Sequence, residues 1–275
     1  MTRLSAFIES VGLLGPGLND WPHAAQVLAQ RAAYASAPTA PPPPACLPGA
    51  ERRRTGAAVR VALAVCQEAA AASARDPATL ASVFTSSGGD SYNCHAICEA
   101  LASHDRHFSP TRFHNSVHNA PAGYWGIASG AMAASTVLCA HDGSFAAGLL
   151  DSLCQVAVDA TPTLLVAFDT DYPEPMRAVR PITGMFGVAM VLAPQASARS
   201  LARIEVQLTD APSTVLASEE LEQLRGDIPA ARALPLLEAL ATQRRASVVL
   251  DYLPDTRLQV DVVPSDVAGN SARAS

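Results

Sequence analysis

Cys139 closes the apolar run Thr136-Val137-Leu138-Cys139-Ala140, and a sharp His141-Asp142-Gly143 turn follows it. A thiol between a strand and the start of the next helix is well placed for nucleophilic chemistry, because the helix dipole favours the thiolate. His114, His118 and His141 are the imidazoles that could serve it as base. The simpler structural reading makes Cys139 one inward side chain of a buried strand. His114 and His118 stand four apart, and a zinc site would need both to converge with Cys139 and His141. Asn115, Asn119 and Pro121 interrupt the helix that would align the pair, so no metal is expected. Ser86-Ser87-Gly88-Gly89-Asp90 separates a strand from a helix, so its amides could hold an anion or form a turn capped by Asp90 or Ser91. Every basic residue among the 19 is arginine. That excludes a Schiff-base lysine and a P-loop lysine.

The elements that must carry these residues come from a chain of 275 residues that is 49% hydrophobic and only 16% charged. Typical charged content is about 25%, so much of the surface is neutral or covered. A net charge of -6 argues against nucleic acid and anionic membranes as partners. Residues 1–15 lack the apolar run of a targeting signal. Residues 120–140 are free of charge over a membrane-spanning length, but their glycines, serines and Pro121 suit a buried helix, turn and strand better. A cytoplasmic chain without cofactor is expected. The six cysteines, at 46, 66, 94, 98, 139 and 154, are too scattered for a disulfide framework and read as small buried hydrophobes.

Residues 4–14 read as a first strand, and Asn19-Asp20 leads into an N-capped helix with Pro22 in its first turn. Residues 36–49 form a Pro-rich surface loop. Residues 52–74 predict an Ala-rich helix with Val59, Leu63 and Cys66 on one stripe. A strand over 80–85, a helix from Asp90-Ser91 to about 104, an irregular polar stretch over 108–119 and a small-residue helix over 120–132 follow. Strands over 136–140, 163–168, 186–192, 203–208, 247–253 and 257–263 and helices over 144–157 and 230–244 complete the pattern. Alternating strands and helices with late strand pairs predict a layered α/β domain with a mixed sheet over residues 1–264 and a flexible tail over 265–275.

The blocks AERRRTGAAVRVALAVCQEA (50–69), VFTSSGGD (83–90), FSPTRFHNSVHNAPAGYW (108–125) and STVLCAHDGSFAAGLLDSL (135–153) resemble the N-terminal half of the β-ketoacyl synthases. The resemblance spans nearly the whole chain. It is nearest to the short chain length factor group associated with aryl polyene, a polyketide-type product. It implies a thiolase-like α/β/α fold.

Active synthases carry a nucleophilic Cys, a Gly three residues on and another five later. Gly143 and Gly148 match that glycine pair, which places Ala140 at the nucleophile position and Cys139 one residue early, on the opposite face of a strand. Active synthases also take two histidines and a lysine from their second half. Here all seven histidines lie at or before His141. The resemblance therefore implies a catalytically inactive homologue. It would pair with an active β-ketoacyl synthase as a heterodimer that receives chains from an acyl carrier protein in polyketide or fatty-acid-like elongation. Tyr92 and His95, on the helix after Gly89, are the expected acyl-tunnel residues. Phe113, Asn115, His118, Tyr124 and Trp125 are the expected partner interface. Two alternatives stay open: a condensing enzyme or acyltransferase using Cys139, and a stand-alone acyl- or anion-binding protein.

Overall fold

Three strands have every residue buried, the short Ala81–Thr85 and the adjacent pair Thr163–Asp169 and Phe186–Ala193. A strand that is apolar on both faces must be sandwiched, and this pair forms the middle of the molecule. The computed structural model describes residues 3–265; most of the predicted tail, 266–275, lies outside them. In chain order the strands are β1 (Leu4–Leu14), β2 (Ala81–Thr85), β3 (Ser135–Leu138), β4 (Thr163–Asp169), β5 (Phe186–Ala193), β6 (Ala202–Thr209), β7 (Ala246–Leu253) and β8 (Thr256–Pro264). They form one sheet in the order β3-β2-β4-β5-β1-β6-β8-β7. β2 runs parallel to β3 and β4, and the remaining neighbours are antiparallel. The layered mixed sheet read from the sequence is therefore present.

The helices are α1 (Trp21–Leu28), α2 (Gly49–Arg52), α3 (Ala57–Ser73), α4 (Ser91–Ala102), α5 (Pro110–Asn115), α6 (Ala120–Ser129), α7 (Ser144–Asp159), α8 (Met176–Val179), α9 (Glu219–Asp227) and α10 (Leu234–Thr242). On one face α3 and α6 bury Val61, Cys66 and Trp125 with Phe84, Val166 and Phe168 of the sheet. On the other, α7, α1, α10 and the 3-10 turn Pro229–Ala233 bury Phe145, Leu149, Val27 and Leu237 with Ile8, Leu165 and Met190. α3 lies directly on β1: a Cβ on Gly12 would stand 2.2 Å from the Val65 carbonyl oxygen. Glu68 on α3 accepts from Leu13 N at 2.8 Å and Trp21 N at 2.7 Å, tying the end of β1 to the start of α1. Burial pushes the Glu68 carboxyl up, against those two hydrogen bonds. Although β3 and β7 are opposite edges, a Cβ on Gly143, just past β3, would stand 2.1 Å from the Tyr252 carbonyl oxygen in β7. The sheet curls around α7 until its far strand meets the turn that starts that helix.

Several sequence expectations need correction. The stretch 108–119, read as irregular, contains α5, a short helix opened by Pro110. α9 was not expected, because its polar run EELEQLRGD shows no clear apolar stripe; Ser218 caps it by accepting from Leu221 N at 3.4 Å. Of the six cysteines only Cys66 is buried; Cys46 is half-buried and Cys94, Cys98, Cys139 and Cys154 are exposed. Burial pushes the Cys66 thiol well up. Within 36–49, residues 36–43 are exposed or half-buried, with Thr39 donating to the Met185 carbonyl at 2.7 Å, whereas Pro44 and Leu47 are buried and Gly49 opens α2. Among the described residues no helix is long and apolar enough to cross a membrane.

The Gly12 contact predicts that Gly12→Ala destabilises the chain by about 1–3 kcal/mol, the usual effect of overpacking against a rigid neighbour. Gly226 in α9 has nothing within 4 Å of an added Cβ, so Gly226→Ala should stabilise by up to about 1 kcal/mol through helix propensity. Urea denaturation of both variants checks the pair. A neutral Gly12→Ala would contradict the α3–β1 packing.

Candidate functional site

Crevices at the carboxyl ends of parallel strands are the usual functional region of an open α/β sheet. Here β2, β3 and β4 end together, and four segments converge: the loop 86–90, the 3-10 turn His141–Gly143, the end of β4 with Tyr172, and Arg180. His141 sits at φ +50°, in the left-handed region. Such a tight turn presents Asp142 to two guanidiniums. Arg180 Nη2 donates to Asp142 Oδ1 and to Ser87 Oγ (2.6 Å), and Arg232 Nη2 donates to Asp142 Oδ2 at 3.1 Å. Arg232 continues to Asp251 at 3.5 Å, and Arg225 pairs with Asp251 at 2.6 Å and Glu222 at 2.5 Å. The hydrogen bond from Arg225 holds the Glu222 carboxyl below its ordinary range. The cations of the cluster are committed to the chain's own carboxylates.

The turn itself is equally committed. Ala140 N–H donates to Ser144 Oγ at 3.1 Å, and Ser144 Oγ donates to the His141 carbonyl at 2.7 Å. The backbone N–H of Ala140, the residue that the resemblance puts at the nucleophile position, is thus already used, where acyl transfer would need it for an oxyanion. Cys139 is not the buried strand residue expected. β3 is a four-residue edge strand with half-covered side chains, and Cys139 lies just beyond it, exposed. Its thiol donates to the Ser87 carbonyl at 3.3 Å, an acceptor too weakly basic to take the proton. The histidines go elsewhere. His118 Nε2 lies 3.2 Å from the Ser86 carbonyl, His141 Nδ1 lies 3.5 Å from Asp142, and His114 stands edge-on to Tyr124 at 6.2 Å between ring centroids.

The loop 86–90 forms a turn whose amides are taken. Ser87 N donates to Asp169 Oδ1 at 2.8 Å, and Gly89 N donates to Ser86 Oγ at 2.9 Å. Asp90 caps α4 by accepting from Asn93 N at 3.1 Å. The capped turn prevails over the anion cradle because the Asp169 carboxylate of β4 and the loop's own Ser86 hydroxyl have filled it. Among the described residues no three His, Cys, Asp or Glu side chains are grouped to hold a metal ion.

The remaining sequence candidates separate. Tyr92 is 46% exposed and donates to Asp171 Oδ2 at 2.9 Å; His95 Nε2 is 3.3 Å from Glu99. Phe113 is 60% exposed. Asn115, Tyr124 and Trp125, expected at a partner interface, are instead buried within the chain. The reason is local: α6 packs on α3, and Tyr124 donates to Asn115 Oδ1 at 3.0 Å while Asn115 Nδ2 donates to the Arg54 carbonyl at 2.6 Å. Unread in the sequence was Asp169, fully buried, which accepts from Ser87 N, from Ser86 Oγ at 3.1 Å and from Ala230 N at 2.8 Å. Its signal was a carboxylate closing an otherwise apolar strand.

Burial pushes Asp169 up to about 7, against those three hydrogen bonds and Arg180. A raised carboxylate contributes stability that is full below its unfolded value of 3.8 and fades as pH rises through about 7. Asp169→Asn should remove that slope, worth a few kcal/mol. Urea unfolding at about pH 5 and about pH 8 should show the parent losing more stability than the variant, and equal losses would defeat the assignment.

A family model described as "Beta-ketoacyl synthase, N-terminal domain" matches residues 24–251. No curated protein matches the sequence at a significant level. Similar solved structures include a ketosynthase (ApeO) in complex with its chain length factor (ApeC) from Xenorhabdus doucetiae. That match has a TM-score of 0.72 and 21% identity and covers 94% of this chain and 99% of that one. The complex AntDE:AntF, a type II acyl-carrier protein with its ketosynthase bound to the hexaketide, matches with a TM-score of 0.76 and 10% identity over 96% and 100%. The ishigamide ketosynthase/chain length factor matches at 0.69 and 13% over 95% and 99%. At these identities the likeness is one of fold.

Proposed function

The chain belongs to the β-ketoacyl synthase N-terminal domain family, and from that premise we propose that it is a non-condensing member, a chain length factor for an active ketosynthase. The observation that carries the reading is the turn at the nucleophile position. Ala140 stands there, its N–H is bonded to Ser144, and the neighbouring Asp142 is clamped by Arg180 and Arg232. Condensation needs a prepared thiolate and imidazole donors for the malonyl decarboxylation, and this turn offers neither. What remains is a scaffold that walls part of a tunnel while the partner performs the chemistry on chains borne by an acyl carrier protein. Tyr92 and His95 on α4 are the proposed wall. The proposed partner face combines the edge strand β3 with exposed apolar side chains that include Phe113, Val117, Ile127 and Met132, beside His118. Large exposed apolar side chains gathered in one stretch of chain are what an interface would use. Aryl polyene synthesis is the proposed pathway class, supported by the motif resemblance, with fatty-acid-like elongation as the broader setting.

One observation favours a second reading, a condensing enzyme using Cys139: that thiol is exposed. Mass detection of acylation separates the two. The purified chain, incubated with acyl and malonyl carrier proteins, should gain no acyl group and make no product. With the ketosynthase present it should raise product formation, and Cys139→Ala should leave that effect intact. Stoichiometric acylation of Cys139 would sink the chain length factor reading.

The interface is tested by contrast. Met132 is 95% exposed, so Met132→Asp should leave the isolated chain within about 0.5 kcal/mol yet weaken co-purification with the ketosynthase. Trp125→Ala should instead destabilise the chain itself by about 3–5 kcal/mol. Undiminished co-purification of Met132→Asp would place the partner elsewhere.

A further inference from the structure

Helix α4 carries the proposed tunnel wall, yet little of it is packed. Ser91 is its one buried residue, whereas Tyr92, Cys94, Cys98 and Leu101 are exposed. A helix without a buried stripe takes little direction from its flank and depends on its attachment at one end. That attachment is the loop 86–90. Ser86 Oγ is its pivot, accepting from Gly89 N at 2.9 Å and donating to Asp169 Oδ1 at 3.1 Å. Ser87 N donates to the same oxygen at 2.8 Å, while Asp169 Oδ2 accepts from Ala230 N at 2.8 Å. Gly88 is pressed against Tyr172, where a Cβ would stand 2.2 Å from the phenol oxygen. Two residues past Asp169, Asp171 accepts from Tyr92. The first turn of α4 is therefore tethered twice to the end of β4, a strand buried along its whole length. Elements of that kind open least often.

We infer that Asp169 is a positioning residue, whose carboxylate fixes the loop 86–90 and through it the direction of α4. Its consequence for product length rests on the tunnel-wall reading proposed above. Asp169 contacts no acyl chain in this role and acts through Ser86, Ser87 and the helix they launch.

Hydrogen exchange of the full chain, paired with reconstitution with the ketosynthase, tests this. Ser86→Ala removes the hydroxyl bridge and leaves Asp169 bonded to Ser87 N and Ala230 N; Asp169→Asn perturbs all three. Both should speed exchange of the α4 amides by about tenfold, on the scale of losing one buried hydrogen bond, while β4 amides stay protected. Products should spread over more chain lengths with total turnover held. Parental exchange in α4 of the folded variants would overturn the inference, as would lower turnover with unchanged lengths. Should Asp169→Asn fail to fold, Ser86→Ala decides alone. If the parent chain leaves the ketosynthase's products unaltered, the tunnel-wall reading falls, and the exchange measurement still decides what Asp169 holds.

Discussion

The architecture depends on covering β4 and β5 on both faces. Their fifteen residues are all buried, and water must be excluded above and below them at once. That demand brings α3 and α6 down on one side and α7, α1 and α10 on the other. It also explains the close approach of α3 at Gly12, because a helix held farther away would leave voids over the central strands. The ends of those strands inherit their rigidity. Loops leaving them start from fixed points, and the converging segments around Asp169 and Asp142 are positioned by that frame rather than by their own packing.

A layer so well ordered at its carboxyl ends could host catalysis, but the groups there satisfy one another. Asp142 holds two arginines, Asp251 holds two, and Ser144 takes the Ala140 donor. An active centre keeps donors and a base unspent until substrate arrives. Here the polar complement is turned inward onto the turn itself. Family fold and internal pairing thus coexist at these strand ends.

The sequence revealed the layered mixed sheet because its strands are long apolar runs and its main helices carry caps or small-residue stripes. Caps were expected at Asn19-Asp20 and at Asp90 or Ser91, and the aspartate serves in each case. The sequence also implied, by its resemblance, Ala140 at the nucleophile position, since a glycine pair fixes the count along the chain. It hid what depends on neighbours distant in sequence. Cys139 looked buried because Thr-Val-Leu precedes it, yet a strand at the sheet edge covers only part of its side chains. Tyr124 and Trp125 looked like interface anchors because aromatic residues in a neutral segment fit an interface and an interior equally well. Asp169 went unnoticed because its three donors come from residues 86, 87 and 230, which no local pattern connects.

The place of β1 in the strand order bears on how the chain is made. β1 precedes the other described strands in the chain, but it pairs with β5 and β6, some 180 residues later. Until those segments leave the ribosome, an eleven-residue apolar strand has neither edge satisfied. Among the early elements α3 covers it most closely, through the Gly12 contact and the bonds of Glu68 to Leu13 and Trp21. Long-range pairing of this kind slows folding and leaves nascent strands open to misassociation. The α3–β1 unit is in this sense the chain's own temporary shelter during synthesis, and substitutions that loosen it should reduce the yield of folded protein more than they reduce the stability of molecules that have already folded.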